Sequence, residues 1–233
     1  MSTKTVSPEK TVVITGANRG IGYAMAKICQ QRGDTVYAPC RQSSLELDAL
    51  GVNVVEKIDV ATQEGLDTAV QALSGITIDL LINNAGILRD EQLDNLNQDT
   101  IVEQFNVNAL APLFLSHALL GNLSTGSKIA LITSRMGSVT DNTSGGRYGY
   151  RMSKAALNIA AVSLARDLEP ENIAIGIYHH GYVQTEMVNN NGNLTNGDMS
   201  AHVAAMRLID LMDNLTMTES GVFKHSNGET LPW

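Results

Sequence analysis

Cysteine is nearly absent from this sequence. Cys29 and Cys40 are the only two in 233 residues, too few for a disulfide framework and without the spacing of a zinc site. Two free thiols fit a reducing compartment. Runs of basic residues are missing too: 16 Lys and Arg are scattered among 24 Asp and Glu, for a formal net charge of −8. Nucleic-acid binding leaves a basic stripe, so no nucleic-acid partner is expected. No window approaches the roughly 18 consecutive apolar residues of a membrane span. The start, MSTKTVSPEK, has no apolar stretch behind it and is not a signal peptide. The expectation is a cytoplasmic protein without membrane contact. With no repeat, linker or break in composition, one domain over 1–233 with a polar leader at 1–10 is the simplest organisation. An acidic surface still permits an anionic ligand, because local backbone donors override the global sign.

What is present is 43% hydrophobic content, much of it in short runs. TVVIT (11–15) is β-branched and continuous, as in a strand buried on both faces. Further strands are expected at 35–39, within VNVVEKID, at 78–83, 128–133 and 172–178, and in GVFKHSNGETLPW. Helical patterns fill the gaps: IGYAMAKICQQRG ended by Gly33, SSLELDAL, 62–73, 97–120, 149–168 and 199–214. This alternation predicts a parallel sheet of about seven strands with helices on both faces.

TGANRGIG (15–22) joins the first strand to the first helix. Gly16 allows a tight turn, Gly20 the approach of a pyrophosphate, and Gly22 close packing of helix on sheet. The helix N-terminus offers N–H groups and a positive dipole end to phosphates. Gly16, Asn18, Arg19, Gly20, Ile21 and Gly22 are therefore candidate dinucleotide-binding residues. In NAD sites an acid at the end of the second strand holds the ribose 2′-OH. Here that end is APCR (38–41), with Arg41 and no acid, and Arg19 lies in the loop. Two guanidinium groups suit a 2′-phosphate, which favours NADP(H) over NAD(H).

YGYRMSK (148–154) offers two tyrosines and a lysine. Tyr150 stands four residues before Lys154, on one face of a helix and about a turn away. A free phenol, with a pKa of about 10, is a poor proton exchanger at neutral pH, and a nearby ammonium favours the phenolate. Tyr150 could then protonate the alkoxide formed when hydride reaches a carbonyl. Tyr148 has Met152 at the same step and is expected to be a pocket wall or structural residue. Ser134 ends the fifth strand in ITSRMG, where a hydroxyl can polarise a carbonyl. Ser138, twelve residues before Tyr150 rather than sixteen, is the alternative.

With Asp59, NNAG (83–86) and Asn108, these motifs appear in the order of the short-chain dehydrogenase/reductase family. The chain resembles its compact single-domain members over nearly its whole length: TGxxxGIG at 15–22, SxxG at Ser134 and Gly137, YxxxK at Tyr150 and Lys154. RYGYRMSK and GVFKHSNGETLPW are most similar to the sniffer/C-factor branch of carbonyl reductases. The resemblance implies a Rossmann-type, doubly wound α/β fold. It implies that Asn108, rather than Asn106, kinks the long helix and holds a water that passes protons on from Lys154. Lys154 would also hydrogen-bond the nicotinamide ribose. Asn83, Ala85 and Gly86 would lie beside the adenosine half, with Asp59 on the adenine amine and Val60 beneath the ring. Gly181, Val183 and Thr185 would meet the nicotinamide carboxamide.

One departure stands out. Where the family has PGxxxT, residues 180–185 are HGYVQT, so His180 replaces the proline and the loop is expected to be less rigid. His179 and His180 should point opposite ways at a strand end, which argues against a metal pair. In relatives, the helices corresponding to 97–120 and 149–168 form a four-helix contact, implying a homodimer or homotetramer. The resulting expectation is an NADPH-dependent oxidoreductase that reversibly reduces a small aldehyde, ketone or quinone to the alcohol. Asn108, Ser134, Tyr150 and Lys154 would do the chemistry under a polar, glycine-rich loop at about 186–198. The alternative is an NAD(P)-binding signalling or regulatory protein of C-factor type with little turnover. A methyltransferase with a glycine loop fails on YxxxK and NNAG.

Overall fold

A computed structural model describes residues 9–184 and 199–233. Most of the polar leader, Thr185 and the expected substrate loop at 186–198 lie outside the described residues. Seven parallel strands form one sheet in the order β3-β2-β1-β4-β5-β6-β9. They are β1 (Thr11–Ile14), β2 (Thr35–Pro39), β3 (Asn53–Val55), β4 (Ile78–Asn83), β5 (Leu123–Thr133), β6 (Ala174–His179) and β9 (Phe223–His225). A separate two-stranded ribbon pairs β7 (Val183–Gln184) with β8 (Met199–Ser200), and the sequence pattern did not signal it. The helices are α1 (Gly20–Gln31), α2 (Leu45–Asp48), α3 (Gln63–Ala72), α4 (Gln98–Phe105), α5 (Ala111–Ala118), α6 (Tyr148–Asp167) and α7 (Ala201–Asp213). Among the described residues, no helix is long and apolar enough to cross a membrane.

Strand alternation feeds two cores. Val12, Ile14, Leu80, Ile82, Ala130, Ile132 and Tyr178 pack with Met25 and Cys29 of α1 and Leu208 and Met212 of α7. Their neighbours Val13, Leu81, Ile129, Leu131, Ile175 and Ile177 pack with Leu66 of α3, Leu115 of α5, and Leu157 and Ala161 of α6. Successive side chains point to opposite faces, so a strand buried on both sides is apolar throughout, as TVVI and IDLLIN nearly are. The chain winds outward from β1 to β3, then restarts on the other side of β1 with β4. That reversal opens a crevice at the carboxyl ends of the strands, where ligands of doubly wound sheets bind.

The expected single helix over 97–120 is broken. Between α4 and α5, residues Asn106–Leu110 form a π turn, and Ala111 N–H reaches back to Asn106 O. Pro112 has no N–H for the carbonyl of Asn108, so the regular ladder cannot pass this point. β5 also starts earlier than expected, because Leu123 pairs with Ile78 before a register shift.

The first βα turn is tightly packed. Gly16 has φ +66° and Gly20 φ +58°. A Cβ on Gly22 would lie 2.2 Å from Gly16 O and 2.5 Å from Asn84 Nδ2, so α1 touches backbone. Gly22→Ala should therefore destabilise by roughly 2 kcal/mol or more in denaturant melts. Gly121→Ala, where a Cβ meets nothing within 4 Å, should stay within about 0.5 kcal/mol of wild type.

Candidate active site

The glycine loop is built from both sides. Thr15 Oγ1 accepts from Asn84 N–H (3.0 Å) and Ala85 N–H (3.1 Å), while Asn84 Nδ2 donates to Thr15 O (3.0 Å) and Gly16 O (3.2 Å). Asn84, which sequence reasoning passed over for its neighbours, is thus the residue that ties NNAG to the loop. Asn18 Nδ2 donates to Gln42 O at 3.1 Å, bringing the loop beside the stretch that holds Arg41. Arg19 and Arg41 are both exposed there. Arg19 is the N-cap of α1, no side chain caps the helix, and its first turn carries no acid. Those N–H groups suit a pyrophosphate. Beside them Thr15, Val60, Asn83, Ala85, Ala111 and Pro112 line one small cleft. Asn83 turns its amide to Ser116 Oγ at 3.1 Å, and Asp59 accepts from Ala61 N–H at 3.0 Å. Uncapped helix, glycine turn and cleft together fit a dinucleotide.

Tyr150 and Lys154 are buried on α6 (6% and 4% exposed). Lys154 Nζ lies 5.8 Å from the centre of the Tyr150 ring and donates to Ile132 O at 2.9 Å. Of the two candidate serines, Ser134 is the one whose hydroxyl acts on the Tyr150 phenol and lowers its pKa. Both serines also serve turns: Ser134 Oγ accepts from Met136 N–H at 3.2 Å and Ser138 Oγ from Asp141 N–H at 3.1 Å. The 3-10 turn after Ser134 (Arg135–Gly137) is pressed onto α6: a Cβ on Gly137 would sit 2.7 Å from the carbonyl carbon of Lys154.

The electrostatics differ from the sequence expectation. Burial pushes the Tyr150 pKa up, and the effects that oppose it come from Ser134 and Arg147. Burial also lowers Lys154 to about 8. Desolvation therefore outweighs the cation that the four-residue spacing seemed to supply. Arg147 is the missed cation, and it lies three residues before Tyr150. There Gly145 and Gly146 (both φ +64°) and Arg147 (φ +51°) make a left-handed turn that sets up the first residue of α6.

Asn108 is fully buried in the π turn. Its Oδ1 accepts from Ile87 N–H, and its Nδ2 donates to Ile87 O, both at 2.8 Å, and to Ser153 Oγ at 3.0 Å. Asn106 is only half-buried. A Cβ on Gly86 would lie 3.2 Å from Asn108 Oδ1 and 3.6 Å from Lys154 Nζ, so NNAG, Asn108 and Lys154 converge. Glu91, not signalled by any motif, is 3% exposed. It accepts from Thr100 Oγ1 (2.7 Å) and Gln104 Nε2 (2.6 Å) through one oxygen, and from Gly149 N–H (3.3 Å) through the other. It thereby holds the start of α6.

At the end of β6, His180 Nδ1 donates to Gly181 O at 2.6 Å, and its own carbonyl accepts from Ser226 Oγ at 3.0 Å. Ser226 N–H donates to His179 O at 2.8 Å. Hydrogen bonds thus fasten the segment that lacks the proline. The His179 ring centre is 5.2 Å from that of His180 and 5.1 Å from that of His225. Gly181 has φ +88° and Val183 is buried in the short ribbon.

Fold and site together define a doubly wound α/β protein of Rossmann type, with a glycine turn at its crevice and Tyr150 and Lys154 buried on α6. The family description "short chain dehydrogenase" matches residues 10–195, and the chain belongs to that family of oxidoreductases. It is 35% identical over 225 residues to 1-hydroxy-2-glutathionyl-2-methyl-3-butene dehydrogenase of Rhodococcus sp. (strain AD45), covering 96% of this chain and 99% of the relative. It is 38% identical over 159 residues to the C-signal protein of Myxococcus xanthus, covering 67% and 93%. Among solved structures, the NADPH-bound carbonyl reductase from chicken fatty liver superposes with a TM-score of 0.85 at 28% identity, covering 97% and 99%.

Two predictions follow from the packing and burial of this region. Glu91→Ala leaves the Gly149 N–H and one Gln104 amide proton without an acceptor, while Thr100 Oγ1 keeps Asn97 O and Gln104 Nε2 keeps Thr100 O, and should destabilise by about 1–3 kcal/mol, with Glu91→Gln milder in the same melts. Burial lowers His179 to about 2 and His180 to about 4. Below about pH 6.5 the unfolded chain takes up protons that these folded rings refuse, so stability falls as the pH drops from there towards 4. Melts from pH 7 to 4 should show a shallower decline for His179→Gln than for wild type.

Proposed function

We propose that the protein is an NADPH-dependent reductase of a small carbonyl compound, an aldehyde, ketone or quinone, and that it runs reversibly. The observation that carries this reading is the Tyr150 phenol: buried, touched by Ser134 and a helix turn from buried Lys154. NADP(H), when bound, supplies or accepts the hydride. Gly16, Asn18, Gly20, Ile21 and Gly22 would receive its pyrophosphate, with Arg19 and Arg41 gripping the 2′-phosphate. Asp59, Val60, Asn83, Ala85 and Gly86 would border the adenosine half, and Gly181, Val183 and Thr185 the carboxamide. The NADPH in the chicken relative supports the choice of nucleotide.

In reduction Ser134 donates to the substrate carbonyl and polarises it, and Tyr150 Oη gives its proton to the oxygen as charge builds there. The raised pKa keeps the phenol protonated and ready as an acid. Lys154 would hold the ribose, and a water held at Asn108 would return a proton from solvent to Tyr150 by way of Lys154. In the oxidative direction the same groups take the proton back. The reducing interior of a cell suits the two thiols, which are unpaired, with Cys29 pushed up to about 12 by burial. Phe114 and Ile159, 51% and 66% exposed on α5 and α6, favour a homodimer or homotetramer through these helices.

A second reading, a C-factor-type signalling protein that binds NAD(P) and turns over little, draws on the resemblance to the Myxococcus C-signal protein. NADPH oxidation against a carbonyl panel separates the two. Tyr150→Phe should lower kcat by about 10²–10⁴-fold while still binding NADPH, and Ser134→Ala should cost far more than Ser138→Ala. Equal turnover by wild type and Tyr150→Phe would remove Tyr150 from the mechanism. NADPH binding with no turnover across the panel would favour the signalling role.

A further inference from the structure

A second cavity, of about 370 Å³, opens at the ends of β6 and β9. Gly181 forms its floor. Met199 and Val203 make an apolar wall, and Tyr182, Ser200, Arg207 and His225 supply polar groups. Gly181 ends the turn after β6 and is one of the residues proposed above to border the nicotinamide carboxamide, so the cavity adjoins the proposed cofactor site.

Its polar groups share one character: they donate. Arg32, Arg89, Arg135 and Arg147 each sit on a carboxylate. Arg207 has, among the described residues, only the sulfur of Met199, at 3.7 Å. His225 Nδ1 accepts from Asn227 N–H at 3.1 Å. In the neutral ring the proton therefore sits on Nε2, and this atom lies 3.3 Å from where a Gly181 Cβ would be. Ser200 Oγ already accepts from Val203 N–H at 3.3 Å, leaving its hydroxyl proton to give. No carboxylate belongs to the described lining. On a chain with a net charge of −8, a concave site whose described lining holds a cation and two further donors favours an anion locally.

We infer that this cavity is a carboxylate subsite, with Arg207 as the specificity-determining residue, and that the preferred substrates carry an acid group remote from the reacting carbonyl. The inference rests on the carbonyl-reductase reading and names the substrate class for it. Arg207 offers a planar fork of N–H donors that a carboxylate accepts in pairs, and His225 Nε2–H and the Ser200 hydroxyl can take its remaining lone pairs. Met199 and Val203 would line the path of an aliphatic spacer.

The test uses straight-chain ω-oxo acids from 4-oxobutanoate to 8-oxooctanoate, each against its own methyl ester, with NADPH as reductant. In wild type, at least one chain length should show a KM about tenfold lower for the acid than for the ester, as expected for one charge-assisted contact of about 1.4 kcal/mol. Arg207→Gln should bring the pair within about twofold, Arg207→Lys should retain part of the preference, and Arg207→Glu should invert it. The subsite is overturned if no length favours the acid, or if the preference survives in Arg207→Gln. Turnover of the esters alone would keep the reductase reading while removing the subsite. Calorimetric titration with adipate, which has no carbonyl, reads the subsite without turnover. Wild type should bind it with an affinity that falls as salt rises, and Arg207→Gln should bind at least about tenfold more weakly. Equal adipate binding by the two proteins would overturn the inference even if no aldehyde is reduced.

Discussion

The amide of Asn108 joins three parts of the chain that are remote in sequence. It satisfies both the N–H and the C=O of Ile87 and donates to Ser153, whose hydroxyl in turn donates to Tyr150 O at 2.9 Å. The exit of β4, the π turn and α6 are thereby fixed relative to one another in an interior where each such bond is strong and each orphaned partner costly. The π turn makes this possible by widening the helix where Pro112 interrupts its ladder. Helix irregularity, backbone reading and placement of the Tyr–Lys pair are one arrangement.

Burial then sets the chemistry of that pair. Tyr150 is pushed towards keeping its proton and Lys154 towards losing one, because both charged forms are poorly solvated at their depth. Fixed charges do not rescue them: Lys154 gives a hydrogen bond to Ile132 O, and the cation that lowers the phenol's pKa is Arg147, without overcoming burial. That arginine is held by its backbone N–H to Glu91 O and by its side chain to Asp90. The longer segment before Tyr150 therefore contributes to the site rather than merely lengthening a loop.

Much of the architecture was legible because buried parallel strands leave an unmistakable trace. TVVI and IDLLIN have no polar face to confuse with a helix, and the glycine turn after β1 fixes where the crevice opens. The choice of Ser134 over Ser138 could be argued from the strand end, and Ser134 is the serine that lowers the Tyr150 pKa. Other features were hidden because they depend on tertiary contact. Asn84 looks like Asn83 until its amide meets Thr15 and Gly16. Glu91 looks like a surface acid until Gln104, Thr100 and Gly149 close around it. The π turn carried a readable hint in Pro112, since a proline inside the expected 97–120 helix must interrupt its hydrogen-bond ladder. Desolvation could not be weighed from a four-residue spacing at all, which is why the expected effect of Lys154 on Tyr150 gave way to burial.

The position of β1 in the sheet has a consequence for how the protein is made. This strand emerges first during synthesis, yet it lies between β2 and β4, and its loop is braced by Asn84. Thr15 waits nearly seventy residues for the partner that locks it. A ribosome-bound chain that has exposed only β1 to β3 thus presents an open sheet edge and an unbraced glycine turn. The nucleotide cradle closes only when β4 docks, and Tyr150 joins it still later. Cofactor affinity should accordingly arise late in translation, after a pairing of high sequence separation that is inherently slow to form.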